Sequence, residues 1–203
     1  MAESEVSMAK PDSSAEANPA AADQLSHKLS RLETFSADFV QFIVDKAGAA
    51  VQQTSGRLKA KRPGRFYWYT APPLEQFVKS DDEEVWVYDP DLEQVTVHKK
   101  DANASTTPSV LLSGDIAKLD ASYLVDYVRS DGVETFMLKP KGEDSLFESL
   151  KLRFVDDVLV EMRLTDGLGQ KTTLSFSNVV TNKALTDADF ELNLPEGVDI
   201  IRE

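Results

Sequence analysis

Few residues of this chain carry the side chains on which catalysis or metal binding usually depends. There are two histidines, His27 and His98, and no cysteine. Neither histidine has ligand-type neighbours at a metal-site spacing, and the lack of cysteine excludes thiolate ligands and cysteine nucleophiles. The acidic run 81–84 lacks the spaced oxygen ligands and glycine of a calcium loop and is better interpreted as a hairpin tip. With no G-x-S-x-G or phosphate-loop motif either, we expect no enzyme, metal or cofactor.

The composition limits the binding partners. The chain has 203 residues, 41% of them apolar, with a formal net charge of −13. This length is enough for one domain with a core, and no apolar window is long enough for a membrane-spanning helix. A basic run at 59–62 followed by aromatics at 66–69 could favour nucleic-acid stacking, but the overall negative charge argues against it. We expect a soluble monomer that binds no nucleic acid.

Helical periodicity appears once near the start. Leu25, Leu29 and Leu32 recur at spacings of four and three, which predicts a helix over 21–31. The preceding residues are rich in Ala, Ser, Glu and Pro, which is typical of a disordered tail. We therefore predict a disordered tail over residues 1–20 and a single domain over 21–203.

The rest of the sequence is dominated by short alternating apolar runs separated by turn signals. Aspartate–glycine pairs such as 131–132 mark hairpins. About eleven strands in hairpin order predict a mainly β fold with short helices, built as a large curved antiparallel sheet, a sandwich or a barrel. The predicted strands cover residues 39–44, 51–61, 66–69, 76–80, 84–89, 94–98, 123–129, 133–140, 146–155, 158–164, 170–180 and 198–201.

Three further helical pieces are predicted. Thr107 as a cap, Pro108 at the first helical position and Gly114 at the end are typical of a short helix. A second helical turn is predicted within 115–119, and one more at 187–190. Because these helices are few and short, we expect them to cover the sheet or to plug its concave side.

The most informative stretch of the chain is a glycine, a strand, Lys-Arg-Pro and then Phe-x-Trp between Gly56 and Trp68. Further motifs lie at Phe35 to Gln41, Pro72-Pro73, Glu75-Gln76, Val85 to Val95, Thr107 to Leu112 and Pro195 to Val198. Taken in order, these motifs resemble the LolA family of outer-membrane lipoprotein carriers, and the resemblance covers residues 23–199.

The resemblance implies a fold and a function. The fold would be an incomplete antiparallel β-barrel with a helical lid over a hydrophobic cavity. The function would be a non-enzymatic periplasmic chaperone that takes acylated lipoproteins from the inner-membrane Lol ABC exporter to the outer-membrane receptor LolB. Acyl chains gain about 0.8 kcal/mol per buried CH₂, so such a carrier must offer a large apolar surface.

The resemblance also assigns roles to residues. Arg62 matches the family arginine that hydrogen-bonds lid carbonyls and keeps the cavity closed, and a guanidinium suits several carbonyls at once. Each candidate lining residue could equally be ordinary core. The candidates for the lipid-binding cavity and its lid are Leu58, Phe66, Trp68, Val78, Trp86, Val110, Leu111 and Leu112.

Two alternatives with the same fold stay open. One is a LolB-like acceptor, which would need an N-terminal acylated cysteine. The other is a lipid- or lipoprotein-sensing domain, which would usually carry a further domain or tether. The first residues show no signal-peptide pattern. By residues alone a cytoplasmic location stays open, and the periplasmic expectation, with the signal peptide taken as removed, rests on the resemblance.

Overall fold

The computed structural model describes residues 19–81, 83–99, 112, 119–142, 145 and 147–203. Helix α1 spans Pro19–Ser30 and helix α2 spans Leu119–Ser122, and a 3-10 turn spans Asp187–Phe190. Within the described residues there are also twelve strands. They are β1 (Thr34–Val44), β2 (Ala50–Lys61), β3 (Arg65–Thr70), β4 (Gln76–Ser80), β5 (Glu84–Asp89), β6 (Gln94–Lys99), β7 (Tyr123–Ser130), β8 (Val133–Pro140), β9 (Phe147–Val155), β10 (Val158–Asp166), β11 (Lys171–Thr181) and β12 (Asp199–Arg202).

All twelve strands belong to one sheet, in the order β12-β6-β5-β4-β3-β2-β1-β11-β10-β9-β8-β7. Consecutive strands pair as antiparallel hairpins from β1 to β6 and from β7 to β11, and β1 joins the two halves by pairing with both β2 and β11. Turn chemistry explains the hairpins: Asp131 and Gly132, between β7 and β8, both have positive φ, the conformation of a two-residue hairpin turn. β7 and β12 form the two ends of the sheet, so the barrel is incomplete.

Alternation gives the sheet two different faces, because successive side chains of a strand point to opposite sides. The inner face carries the main core. The register aligns its large apolar side chains across neighbouring strands, so that Phe39 lies opposite Phe176 and Leu58 lies opposite Trp68. Buried members of this face include Phe35, Phe39, Leu58, Ala60, Phe66, Phe136, Leu138, Leu152, Phe154 and Met162.

Helix α1 packs against the β7 end of the inner face. Its apolar stripe, which includes Leu25 and Leu29, is fully buried in the main core. In this half the sheet is covered by its own helix, and Phe136 and Leu138 are completely inaccessible to solvent.

The outer face has a smaller apolar cluster at the opposite end of the sheet. Tyr88, Val95 and Val97 are buried there. The segment 182–198, which we call the C-terminal strap, runs from β11 to β12 and packs Leu192, Leu194 and Val198 on this cluster. The strap thereby places β12 beside β6.

The predicted fold class, a mainly β, incomplete antiparallel barrel with short helices, is confirmed, and each of the twelve predicted strand ranges overlaps an observed strand. The helix predicted at 21–31 is present but begins at Pro19, inside the predicted tail, and residues 1–18 lie outside the described residues. One pairing is parallel: β12 pairs with β6 in parallel, because the strap crosses the sheet before the last strand begins.

Candidate functional site

The inner face of β2 and β3 brings together three predicted cavity residues, Leu58, Phe66 and Trp68. Leu58 and Phe66 are buried, and Trp68 is half-buried. The Trp68 ring lies on Phe39, with 3.9 Å between ring centroids, and its Nε1 donates to Thr70 Oγ1 at 2.9 Å. The indole is therefore fixed in position, with its polar atom already satisfied within β3.

Gly56 makes this aromatic arrangement possible. A Cβ at this position would lie 1.8 Å from the Tyr69 backbone oxygen and 2.9 Å from the ring edge of Phe39. Only glycine lets strand β3 and the Phe39 ring approach β2 so closely. The glycine that opens the resembling stretch thus has a packing reason.

A row of valines continues the inner face beyond Trp68. Val78 lies opposite Trp68, and Val87 lies opposite Val78 in the next strand. Val85 shares this face, since it is two residues from Val87. All three are only half-buried, in contrast to the residues beneath α1. We call Val78, Val85 and Val87 the valine row.

Val85 and Val87 were missed in the sequence analysis, and Trp86 was chosen in their place. The structure places Trp86 on the outer face, where it packs on the cluster of Val95 and Val97. Lys79 and Arg202 lie over its ring at 5.1 Å and 5.3 Å from the centroid. Trp86 is therefore not brought together with Leu58, Phe66, Trp68 and Val78.

Arg62 lies in the turn between β2 and β3. Its Nε donates to the carbonyl oxygen of Leu32 at 3.0 Å, just beyond the last turn of α1. Its backbone N–H donates to the Glu33 carbonyl at 2.9 Å. The arginine thus holds the segment that leaves α1.

Asn182, which the sequence analysis did not select, holds the same segment from the other side. Its side chain donates to the Arg31 carbonyl and accepts from the Glu33 N–H, both at 2.9 Å. Its backbone has a φ of 57°, and asparagine tolerates this left-handed conformation better than most residues. An asparagine directly after a long strand was the only signal available.

Of the three predicted lid residues, Leu112 is helical and buried in the main core. Val110 and Leu111 lie outside the described residues, as does most of the predicted lid helix. The described contacts of Leu112 belong to the same apolar interior as Leu58 and Phe66.

A cleft of about 460 Å³ lies on the outer face, between β2–β4 and the strap. Its walls include Arg57, Tyr67 and Tyr69 on the sheet and Asp189 on the strap. Lys59 Nζ binds Asp189 Oδ1 at 2.7 Å. This hydrogen bond, with another from the Thr186 backbone, lowers the pKa of Asp189 to about 2. The ion pair fixes the strap to the sheet.

The two histidines, which were considered for metal binding and catalysis, lie far from each other in the fold. His27 is exposed on α1, and His98 Nδ1 lies 3.2 Å from Glu203 Oε2 at the far edge of the sheet. Among the described residues, no group of three histidine or acidic side chains could hold a metal ion. Within the same residues, no helix is long and apolar enough to cross a bilayer.

Comparison with known proteins agrees with this geometry. The sequence model of the family described as "Outer membrane lipoprotein carrier protein LolA" matches residues 30–193. A protein of Hahella chejuensis named outer-membrane lipoprotein carrier protein is 47% identical over 189 residues, 92% of this chain and 90% of that one. A protein of the same name from Azotobacter vinelandii is 43% identical over 191 residues, 94% of this chain and 92% of its own.

A solved structure supports the fold alone. An uncharacterised conserved protein from Thermus thermophilus superposes with a TM-score of 0.58 at 14% identity, covering 90% of this chain and 99% of that protein. Since the family model spans most of the sequence and the relatives align over nearly their whole length, this chain belongs to the LolA family of outer-membrane lipoprotein carrier proteins.

Proposed function

We propose that this chain is a periplasmic chaperone that carries lipoproteins with their acyl chains bound on the inner face of the sheet. The names of its relatives support lipoprotein cargo. Both are named as carriers, so neither the acceptor nor the sensor alternative gains support. The structural observation that carries the proposal is the half-buried valine row, which extends the apolar surface formed by Leu58, Phe66 and Trp68.

The physical requirement is an apolar surface that water does not fill. An acyl chain loses roughly 0.8 kcal/mol per CH₂ when it is exposed to water, so several chains need an extended partner. On the inner face Trp68, Val78 and Val87 lie side by side across three strands, and the polar atom of Trp68 is already bonded to Thr70. The indole therefore does not have to give up a hydrogen bond when hydrocarbon covers it.

Arg62 supplies the reversible part of the mechanism. Its bond to the Leu32 carbonyl joins the β2–β3 turn to the segment that leaves α1. Cargo entry breaks hydrogen bonds of this arginine, and cargo release restores them. The closed state is therefore stable enough to shield the apolar face and still able to open.

We infer the route from the resemblance to the LolA family. The carrier takes its cargo from a machine that extracts it and gives it to a tighter acceptor. We assign the first role to the inner-membrane Lol ABC exporter and the second to LolB at the outer membrane. The net charge of −13 repels anionic headgroups and favours a carrier that stays in the aqueous compartment.

The test is release of a lipoprotein from spheroplasts that synthesise it with a radioactive label. Added purified protein is expected to bring the label into solution as a one-to-one complex on gel filtration, and vesicles bearing LolB are expected to remove it. As a control, Val40→Glu places a charge on the outer face of the sheet and is expected to release as much labelled lipoprotein as the wild type. Label that stays in the membrane fraction with the wild-type protein would refute the proposal.

A further inference from the structure

We propose that Lys28 is a positioning residue that holds α1 as the stationary wall of the lipid-binding face while the Arg62 side opens. This inference rests on the proposed function. It concerns the end of the sheet remote from the valine row, where α1 meets β8, β9 and the turn after β9.

The geometry around Lys28 joins the helix to three separate parts of the sheet. Its Nζ lies 2.5 Å from Glu134 Oε2 on β8 and forms a second ion pair with Asp157. It also lies 5.4 Å from the ring centroid of Phe154 on β9. Tyr127 on β7 completes the arrangement by donating its hydroxyl to Glu134 at 2.9 Å.

The inner pair is shielded from solvent. The side chains of Lys28 and Glu134 are 17% and 16% exposed, whereas Asp157 is 80% exposed. Burial alone would raise the pKa of Glu134, but hydrogen bonds from Lys28 and Tyr127 outweigh it and lower the pKa. Removing Lys28 would leave this carboxylate shielded without its cation, which is far more costly than losing a surface ion pair.

Polar contacts hold the C-terminal end of α1. Lys28 is in the last turn, and the Asn182 and Arg62 side chains bind the carbonyls of Arg31 and Leu32 just after it. Buried apolar side chains of the helix, Leu25 and Leu29 among them, hold it on the core.

The positions of these contacts determine which part of the protein moves when the hydrogen bond from Arg62 to Leu32 breaks. With Lys28 and Asn182 in place, the end of α1 keeps two attachments, so the Arg62 bond can break without displacing the helix. Opening is then confined to the β2–β5 half, which contains the valine row. Without Lys28, the same event leaves the end of α1 more loosely attached to β8 and β9, and the wall that α1 offers to the bound acyl chains becomes less rigid.

The experiment combines amide hydrogen exchange with retention of a fluorescent diacylated lipopeptide, both on the full chain. In Lys28→Met, exchange within 24–30 is expected to rise at least tenfold while β10 and β11 keep wild-type rates, and lipopeptide is expected to dissociate at least threefold faster. Lys28→Arg should restore both values. Lys171→Met, which removes an exposed lysine from β11, serves as the matched control and should match the wild type.

A second variant separates positioning from simple destabilisation. Lys28→Met with Glu134→Gln removes the stranded carboxylate, so the melting temperature should recover while α1 exchange stays fast. Unchanged α1 exchange in Lys28→Met, an equal rise in β10 and β11, or fast α1 exchange with normal lipopeptide retention would each overturn the inference. If the wild type binds no lipopeptide, the proposed function fails, and the positioning role falls with it even if α1 exchange responds.

Discussion

The Arg62 side chain donates a hydrogen bond to the backbone carbonyl of Leu32, and this bond links the β2–β3 turn to the segment that follows α1. The donor is a permanent cation and the acceptor is a carbonyl beyond the reach of helical bonding. A contact of this kind can be broken and remade without rearranging either element.

Replacing Arg62 by leucine is therefore expected to separate loading from delivery. A hydrogen bond from a charged donor contributes about 1.5–3 kcal/mol, so its loss shifts the balance towards the loaded, open state roughly tenfold or more. We expect Arg62→Leu to form the soluble lipoprotein complex but to transfer it to LolB-bearing vesicles at least tenfold more slowly. Arg65→Leu is the control, because Arg65 pairs with Asp187 on the outer face. Wild-type transfer by Arg62→Leu would contradict the role.

The valine row gives a direct test of where hydrocarbon lies. A glutamate at position 85 would place a carboxylate beneath the acyl chains, and burying an unpaired charge costs several kcal/mol, which corresponds to at least about a hundredfold weaker binding. Val85→Glu should keep its melting temperature within a few degrees, since the site is half-exposed, and lose lipopeptide affinity in a fluorescence titration. Val40→Glu is the matched outer-face change. Equal affinities of the two variants would show that acyl chains do not cross β5.

Gly56 is expected to be irreplaceable for packing. The added methyl of Gly56→Ala would overlap the backbone oxygen of Tyr69, which cannot rotate away, so β3 must shift. Overpacking of this kind costs about 1–3 kcal/mol or more, visible as a lower urea midpoint. Gly167→Ala, with no atom within 4 Å of the new methyl, should leave the midpoint unchanged. A wild-type midpoint in Gly56→Ala would show that the two strands are not held so closely.

The strap should loosen in acid through Asp189. Its pKa in the folded protein is about 2, below the ordinary value of 3.8, so its stabilising effect is complete above about pH 4 and is lost as the pH falls towards 2. The difference in unfolding free energy between the wild type and Asp189→Asn should be largest near pH 5 and should shrink by pH 2. Asp23→Asn, on the exposed side of α1, is the control for the loss of one carboxylate. Chemical denaturation at several pH values provides the measurement.

The sequence predicted most strands because hairpin signals and alternation are local. It could not decide which side chains of β5 belong to the inner face of the sheet: residues 85–88 alternate valine with aromatics, and both sets are apolar. The choice is made by register, because β4 places Val78 opposite Val87 and Lys79 opposite Trp86. Trp86 was selected for the cavity because it is the larger apolar side chain, and it lies on the outer face.

Polar contacts between residues far apart in the chain could likewise not be predicted from the sequence. Lys28 looks like a solvated helix lysine until β8 and the turn after β9 bring Glu134 and Asp157 to it, more than a hundred residues along the chain. The parallel pairing of β12 has the same origin, since it depends on the path of the strap across the outer cluster. Arg62 was found by resemblance, and its partner Leu32 emerged only from the fold.

The unjoined ends of the sheet have a consequence for the range of cargo. A closed barrel has a circumference set by its strand number and shear, so its lumen has one width. Here β7 and β12 are separate margins, and the distance between them can grow or shrink by small changes in twist spread over many strands, with every ladder hydrogen bond kept. We therefore expect the open sheet to adjust its width to the volume of the acyl chains that it binds.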